Sequence, residues 1–150
     1  MNRFNALLAC VVGLVGGSAV HAAPKSEDNV KFTVKADKPV DGKQVVTLTL
    51  EIAKPWHAYA NPVGNPDLAP VQTVVAFTVG GKPATAKIDY PEGDLEKDKD
   101  IGNYRIYEGT ITIKATVDRA AAGPLEAVVS IQTCTKTTCL LQSKVKLKVD

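Results

Sequence analysis

Gly109-Thr110-Ile111-Thr112-Ile113-Lys114-Ala115-Thr116-Val117 is the longest strictly alternating run in the chain. Ile111, Ile113, Ala115 and Val117 fall on one parity, and Thr110, Thr112, Lys114 and Thr116 on the other. Successive side chains of a strand point to opposite faces, so a period of two reads as a half-buried β-strand. The strand is expected over Ile106 to Val117. The same pattern recurs outward in both directions. Toward the C-terminus, Ala120 to Pro124 is a turn, and Asp118 to Ala122 has room for one helical turn at most. Leu125 to Cys134 is apolar on both faces for part of its length, as in a central strand. Lys144 to Val149 alternates with lysines on one face, as edge strands often do. Toward the N-terminus, Gly93 to Asn103 is charged without apolar periodicity and reads as a surface loop. Ala84 to Tyr90 and Val71 to Val79 read as strands, the latter closed by Gly80-Gly81. Asn61 to Pro70 holds Pro62, Gly64, Pro66 and Pro70 and reads as a loop, with Trp56 to Ala60 a short extended piece before it. Val46 to Ile52 and Val30 to Ala36 alternate and fit a hairpin around a turn at Val40 to Lys43. That makes about eight strands with frequent turn signals and no sustained 3.6 period, which predicts an all-β antiparallel sandwich.

The 150 residues, 45% hydrophobic and 23% charged, suit one domain. Eighteen basic against sixteen acidic residues give a formal charge of +2, which offers no nucleic acid or anionic membrane an electrostatic footprint. Eleven Gly and nine Pro exclude collagen-like and low-complexity classes. Met1 to Arg3 is a short positive segment, Phe4 to Val20 is apolar or small apart from Asn5 and Ser18, and Val20-His21-Ala22 places small residues at a cleavage site. Residues 1–22 are therefore expected to be a cleaved secretory signal, leaving a domain of residues 23–150 outside the cytoplasm. A membrane span is the competing reading, disfavoured by a short run and by Gly13, Gly16 and Gly17. A lipoprotein through Cys10 is disfavoured by the short apolar stretch before it.

Removal of Cys10 with the signal leaves Cys134 and Cys139, in a compartment that permits disulfides. Between them lies the polar Thr135-Lys136-Thr137-Thr138. Both thiols are expected near the rim of the sandwich, with Cys134, at a strand end, the more sheltered. A ring this short constrains the unfolded chain by only about 2 kcal/mol, against about 4.7 for a 100-residue loop. The spacing leaves redox chemistry and a local structural clip equally open. No metal is expected, because the mature chain offers two cysteines and His57 where a zinc site needs three or four ligands. No cofactor motif is present either.

Lys54-Pro55-Trp56-His57-Ala58-Tyr59-Ala60-Asn61-Pro62 is the second informative stretch. In an extended segment His57 and Tyr59 share one face, and Trp56 and Ala58 the other. Either His57 and Tyr59 border a surface site, or Tyr59 is core and His57 a solvated side chain. An imidazole or phenol beside a thiol would tune its ionisation, since the thiolate is the nucleophile.

The order of Trp56-His57-Ala58-Tyr59-Ala60-Asn61-Pro62, Tyr107-Glu108-Gly109 and Cys134-x4-Cys139-Leu140 resembles the family of N-terminal periplasmic domains of the thiol:disulfide interchange protein DsbD, from about Val30 to Val149. The resemblance implies an immunoglobulin-like sandwich and electron transfer by dithiol–disulfide exchange. The donor would be a thioredoxin-like domain supplied by a separate membrane unit, and the acceptors periplasmic thioredoxin-like oxidoreductases, with the domain itself a monomer. Cys134 and Cys139 would be the redox pair, Cys139 forming mixed disulfides. His57 and Tyr59 would border the pair, and Lys97 to Asn103, with Asp100, Ile101 and Gly102 at its centre, would be the cap loop. Three features depart from the family pattern. Leu141-Gln142 stands where prolines often follow Cys-Leu. Ile101 is the one apolar candidate in the cap, where an aromatic residue is usual. The membrane and thioredoxin-like domains are absent from the sequence. The alternative from another class is a non-catalytic immunoglobulin-like binding or structural module with a passive local disulfide.

Overall fold

The computed structural model describes residues 23–149; the signal expected over residues 1–22 lies outside them. The alternating run that decides the fold is strand β9 (Thr110–Asp118), and its buried residues Ile113, Ala115 and Val117 are those of the apolar parity. Eleven other strands precede or follow it: β1 (Val30–Ala36), β2 (Lys43–Ile52), β3 (His57–Tyr59), β4 (Val74–Val79), β5 (Lys82–Ala84), β6 (Ala86–Asp89), β7 (Asp94–Asp98), β8 (Gly102–Tyr107), β10 (Leu125–Ile131), β11 (Thr133–Cys134) and β12 (Ser143–Val149). Short 3₁₀ turns occupy Ser26–Asn29 and Pro66–Val71. The architecture is all-β and antiparallel, the immunoglobulin-like class expected, but in twelve strands among the described residues rather than about eight.

One sheet runs β1-β2-β9-β6, and a second runs β12-β10-β4-β5. In the first, Leu48 lies opposite Ile113, and Leu50 opposite Ile111 on one side and Phe32 on the other. In the second, Val129 lies between Val75 and Val145. The inward residues Val46, Leu48, Leu50, Ile113, Val117, Val129 and Ile131 are fully buried and form one continuous core. Period-two burial on both sheets is what makes a sandwich, each sheet covering the other's apolar face.

A third sheet, β11-β3-β8-β7, stands at one end of the sandwich and positions the cysteines. Four expectations are corrected here. Gly93 to Asn103 is not a loop, because β7 and most of β8 form a hairpin, Glu96 opposite Tyr104 and Asp98 opposite Gly102. The run from Ile106 to Val117 is two strands in different sheets, parted at Gly109, whose φ of 61° leaves the extended region. Leu125 to Cys134 likewise breaks at Gln132, so that β10 serves the core while β11 turns onto β3. Val71, expected in a strand, ends the 3₁₀ turn, and no helix forms at Asp118 to Ala122.

Candidate functional site

β3 is held on both sides. On one side Cys134 lies opposite His57 and Thr133 opposite Ala58; on the other Ala58 faces Tyr107 and Tyr59 faces Ile106. After Cys134 the chain reverses through Thr135–Thr138. The Thr135 N–H donates to the Thr138 carbonyl at 2.7 Å, and the Thr135 hydroxyl accepts the N–H groups of Thr137 and Thr138. Serine and threonine hydroxyls close such turns by taking up local N–H groups. The reversal brings Cys139 onto Cys134 in a disulfide, with Cα atoms 4.0 Å apart. From behind, Ser26 braces this hairpin: its buried hydroxyl accepts the Thr133 N–H at 2.9 Å and donates to the Leu141 carbonyl at 2.7 Å.

The two cysteines are unequal. Cys139 is exposed, whereas Cys134 is 1% exposed and packs with Tyr59, Val63 and Ile106. The rim position expected for both thiols is thus corrected for Cys134, because β11 is drawn inward by pairing with β3. Tyr59 is buried and still at the site: its hydroxyl lies 4.0 Å from Sγ of Cys139, and its ring meets His57 and Tyr104 edge-on, with centroids 6.2 and 5.9 Å away. Trp56 and Ala58, of the other parity, pack on the main core. Leu141, in place of a proline, is 86% exposed.

The disulfide forms one wall of a groove of about 530 Å³, whose other wall is the β7–β8 hairpin. Glu96, Asp98, Tyr104, Ile106 and Glu108 line it, with Ile101 at the hairpin tip; Asp100 and Gly102, also expected in the cap, do not. Gly102 instead supplies the left-handed conformation, φ 85°, that the tip requires. Burial lowers the His57 pKa against the opposing pull of Glu108 and Glu96, favouring the neutral imidazole. Burial raises the phenol pKa of Tyr59, keeping its hydroxyl a donor. Hydrogen bonds from the Ile101 and Asp100 backbone lower the pKa of Asp98. Glu96, Asp98 and Glu108 line the groove together with Lys136. Among the described residues no group of three or more His, Cys, Asp or Glu is placed to hold a metal ion.

Sequence reasoning missed Tyr104 and Glu96; Asp98 fell within the expected cap stretch and Glu108 within the resemblance, neither with a role of its own. The signal available was the alternation in Gly102-Asn103-Tyr104-Arg105-Ile106, which puts Tyr104 and Ile106 on one face. Tyr107, part of the resemblance, lies outside the groove. It is 2% exposed, and its hydroxyl donates to the Pro91 carbonyl at 2.9 Å and accepts the Asn61 N–H at 3.1 Å, fixing the chain on either side of the third sheet.

The family "Thiol:disulfide interchange protein DsbD, N-terminal" matches residues 22–150. No curated protein matches the sequence. The N-terminal periplasmic domain of ScsB from Proteus mirabilis is similar in fold, with a TM-score of 0.62 at 17% identity over 82% of this chain. The chain spans 47% of that structure's length. The Neisseria meningitidis DsbD N-terminal domain in the reduced form gives 0.51 at 15% identity, over 85% of this chain and 89% of that one. A complex between the DsbD and PilB N-terminal domains of the same organism gives 0.54 at 14% identity, over 78% of this chain and 80% of that one. Among the described residues no helix is long and apolar enough to cross a membrane.

Proposed function

The chain belongs to the family of DsbD N-terminal domains, a thiol–disulfide exchange family, and from that premise we propose that it carries reducing equivalents in the periplasm through Cys134 and Cys139. The observation that carries this reading is the inequality of the cysteines: one exposed residue at a groove, one buried behind it. Exchange needs one sulfur open to attack and a second that leaves and later resolves.

The steps follow. A thiolate of a reduced thioredoxin-like donor attacks Sγ of Cys139; the Sγ–Sγ bond to Cys134 breaks, and its electron pair leaves on the Cys134 sulfur. The donor's second thiol then attacks its own sulfur in the mixed disulfide and releases Cys139 as thiolate. The donor dithiol becomes a disulfide and this chain's disulfide a dithiol, two electrons and two protons being transferred. With an oxidised acceptor the steps reverse: Cys139 attacks and Cys134 resolves. The Tyr59 hydroxyl, 4.0 Å from Sγ of Cys139, is placed to donate to the charge that develops there. His57, neutral opposite Cys134, leaves that sulfur without a fixed cation. The complex of a DsbD N-terminal domain with the PilB N-terminal domain supports a protein domain as the exchange partner. A separate membrane protein as ultimate donor, a monomeric state and a leader cleaved after Ala22 belong to the same reading.

Cys134→Ala and Cys139→Ala, each incubated with a thioredoxin-like domain that lacks its resolving cysteine and carries its remaining sulfur as a disulfide with a small aromatic thiol, which leaves when it is attacked, test the assignment. Cys134→Ala is expected to accumulate a mixed disulfide through Cys139, and Cys139→Ala little. The reverse pattern overturns the roles of the two cysteines. No adduct from either variant favours a binding module with a passive clip.

A further inference from the structure

Asn65 is a polar side chain, 8% exposed, with both ends of its amide engaged. Its Oδ1 accepts the Asp67 N–H at 3.0 Å, capping the 3₁₀ turn Pro66–Val71, and its Nδ2 donates to the Ile101 carbonyl at 2.7 Å. The two partners fix the amide's orientation, since an N–H needs the oxygen and a carbonyl needs the NH₂. The first bond is local and explains an asparagine before a short helix. The second reaches 36 residues along the chain to the tip of the β7–β8 hairpin.

That tip needs a tether. β7 is the edge of its sheet, bonded to β8 alone, and all five of its residues are exposed. The hydrogen bonds within the turn, from the Asp100 and Ile101 N–H groups to Asp98, shape the tip without attaching it to anything else. Among the described residues, Asn65 supplies the one side-chain hydrogen bond from outside the hairpin to residues 97–103. The segment bearing Asn65 is itself well anchored. The Arg105 N–H donates to the Val63 carbonyl at 2.8 Å, the Asn61 amide to the Thr73 carbonyl at 2.9 Å, and the Val63 N–H to Gln72 at 3.3 Å. Ile101, whose carbonyl is held, lines the groove together with Cys139.

We propose that Asn65 is a positioning residue that latches the hairpin tip beside the disulfide and thereby limits which reductants reach Sγ of Cys139. It rests on the reading of the pair as redox-active only for its biological meaning; access to the sulfur is measurable without it. Asn65→Asp keeps the size of the side chain and the oxygen that caps Asp67, and turns an oxygen instead of an NH₂ toward the Ile101 carbonyl. Asn65→Ser keeps a capping hydroxyl and is too short to reach Ile101. Both lose the latch and retain the cap.

The test is reduction of the oxidised protein by a water-soluble phosphine at pH 7. The phosphine becomes its oxide, water supplies the oxygen and two protons, and the disulfide becomes two thiols. One hydrogen bond of ordinary net strength holds an opening back by about three- to tenfold, so both variants are expected to react faster than wild type by about that factor. Amide hydrogen exchange, read in parallel, is expected to quicken within residues 97–103 and to stay unchanged in β9 and β10. Rates in both variants within about twofold of wild type overturn the latch. So does acceleration accompanied by equally faster exchange in β9 and β10, which is general loosening. Failure of the redox reading shows differently, as absence of exchange between wild type and any thioredoxin-like domain while the phosphine ratios stand.

Discussion

Cys134 and Cys139 differ by five positions and by most of their solvent exposure, and that difference comes from what lies opposite each. Cys134 is paired with His57 on β3, which carries the two side chains that the sequence singled out. These were legible because they occur in one short stretch at a parity that strand geometry makes meaningful. Tyr104 was not, since nothing local links it to Tyr59: their edge-to-face contact is made between strands that come together only in the fold. His57 permits a prediction with a definite sign. Its folded pKa lies below the ordinary 6.5, with burial outweighing Glu108 and Glu96. The unfolded chain therefore binds its proton first as pH falls. The stability that His57 contributes by being neutral is complete above the unfolded value and is lost as pH falls through the lowered folded one. His57→Gln removes that proton uptake together with the edge-on contact to Tyr59, whose loss does not depend on pH. The wild-type Tm minus the variant Tm is expected to shrink as pH is lowered from 7.5 through the histidine range near 6.5. A difference that grows instead would mean that Glu96 and Glu108 prevail over burial.

The β7–β8 hairpin shows where the reading of elements failed. Strands are read from apolar alternation, and alternation reports a buried face. Asp94-Leu95-Glu96-Lys97-Asp98 is exposed throughout, so its sequence carries the mark of a loop while its backbone pairs with β8. Its charges suit an edge that is not to recruit another strand. The break at Gln132 was hidden for another reason: Ile131-Gln132-Thr133-Cys134 holds no glycine or proline to mark the point where the chain changes sheets. Gly93, just before the hairpin, was equally silent. A Cβ there would lie 2.5 Å from the Ala60 Cβ and 2.6 Å from the Ile106 carbonyl oxygen, so β8 passes where only a glycine leaves room. Gly93→Ala must push Ile106, which packs with Cys134 and Tyr59, away from the third sheet. Overpacking of this kind costs about 1–3 kcal/mol, and urea unfolding is expected to show that loss. An unchanged midpoint would mean that the hairpin shifts freely and is not seated on β3.

Two apolar clusters divide the molecule, and the division bears on what the disulfide is for. Leu48, Leu50, Ile113, Val129 and Ile131 belong to the main core between the two large sheets, whereas Cys134 packs in a smaller cluster with Tyr59, Val63 and Ile106. The main core was legible, because half-buried strands print their inward residues at every second position. The smaller cluster was not, because its members come from β3, β8, β11 and the proline-rich segment, of which β8 alone is long enough to show alternation. A staple of the sandwich would join distant strands across the main core; this disulfide closes a turn of five residues' separation at its end. The ring constrains the unfolded chain by about 2 kcal/mol at most, less than the roughly 5–15 kcal/mol by which such domains are stable. Reduction is therefore expected to leave the fold standing. In urea the reduced protein should unfold in one transition of unchanged slope, with the midpoint lowered by an amount equivalent to about 2 kcal/mol or less. Leu48→Ala, in the main core, serves as the scale, with an expected loss of about 2–5 kcal/mol and the disulfide intact. If reduction costs more than Leu48→Ala, or unfolds the chain in the absence of urea, the pair is holding the sandwich together. A carrier cannot work that way, since it must present the same docking groove whether it is loaded or spent.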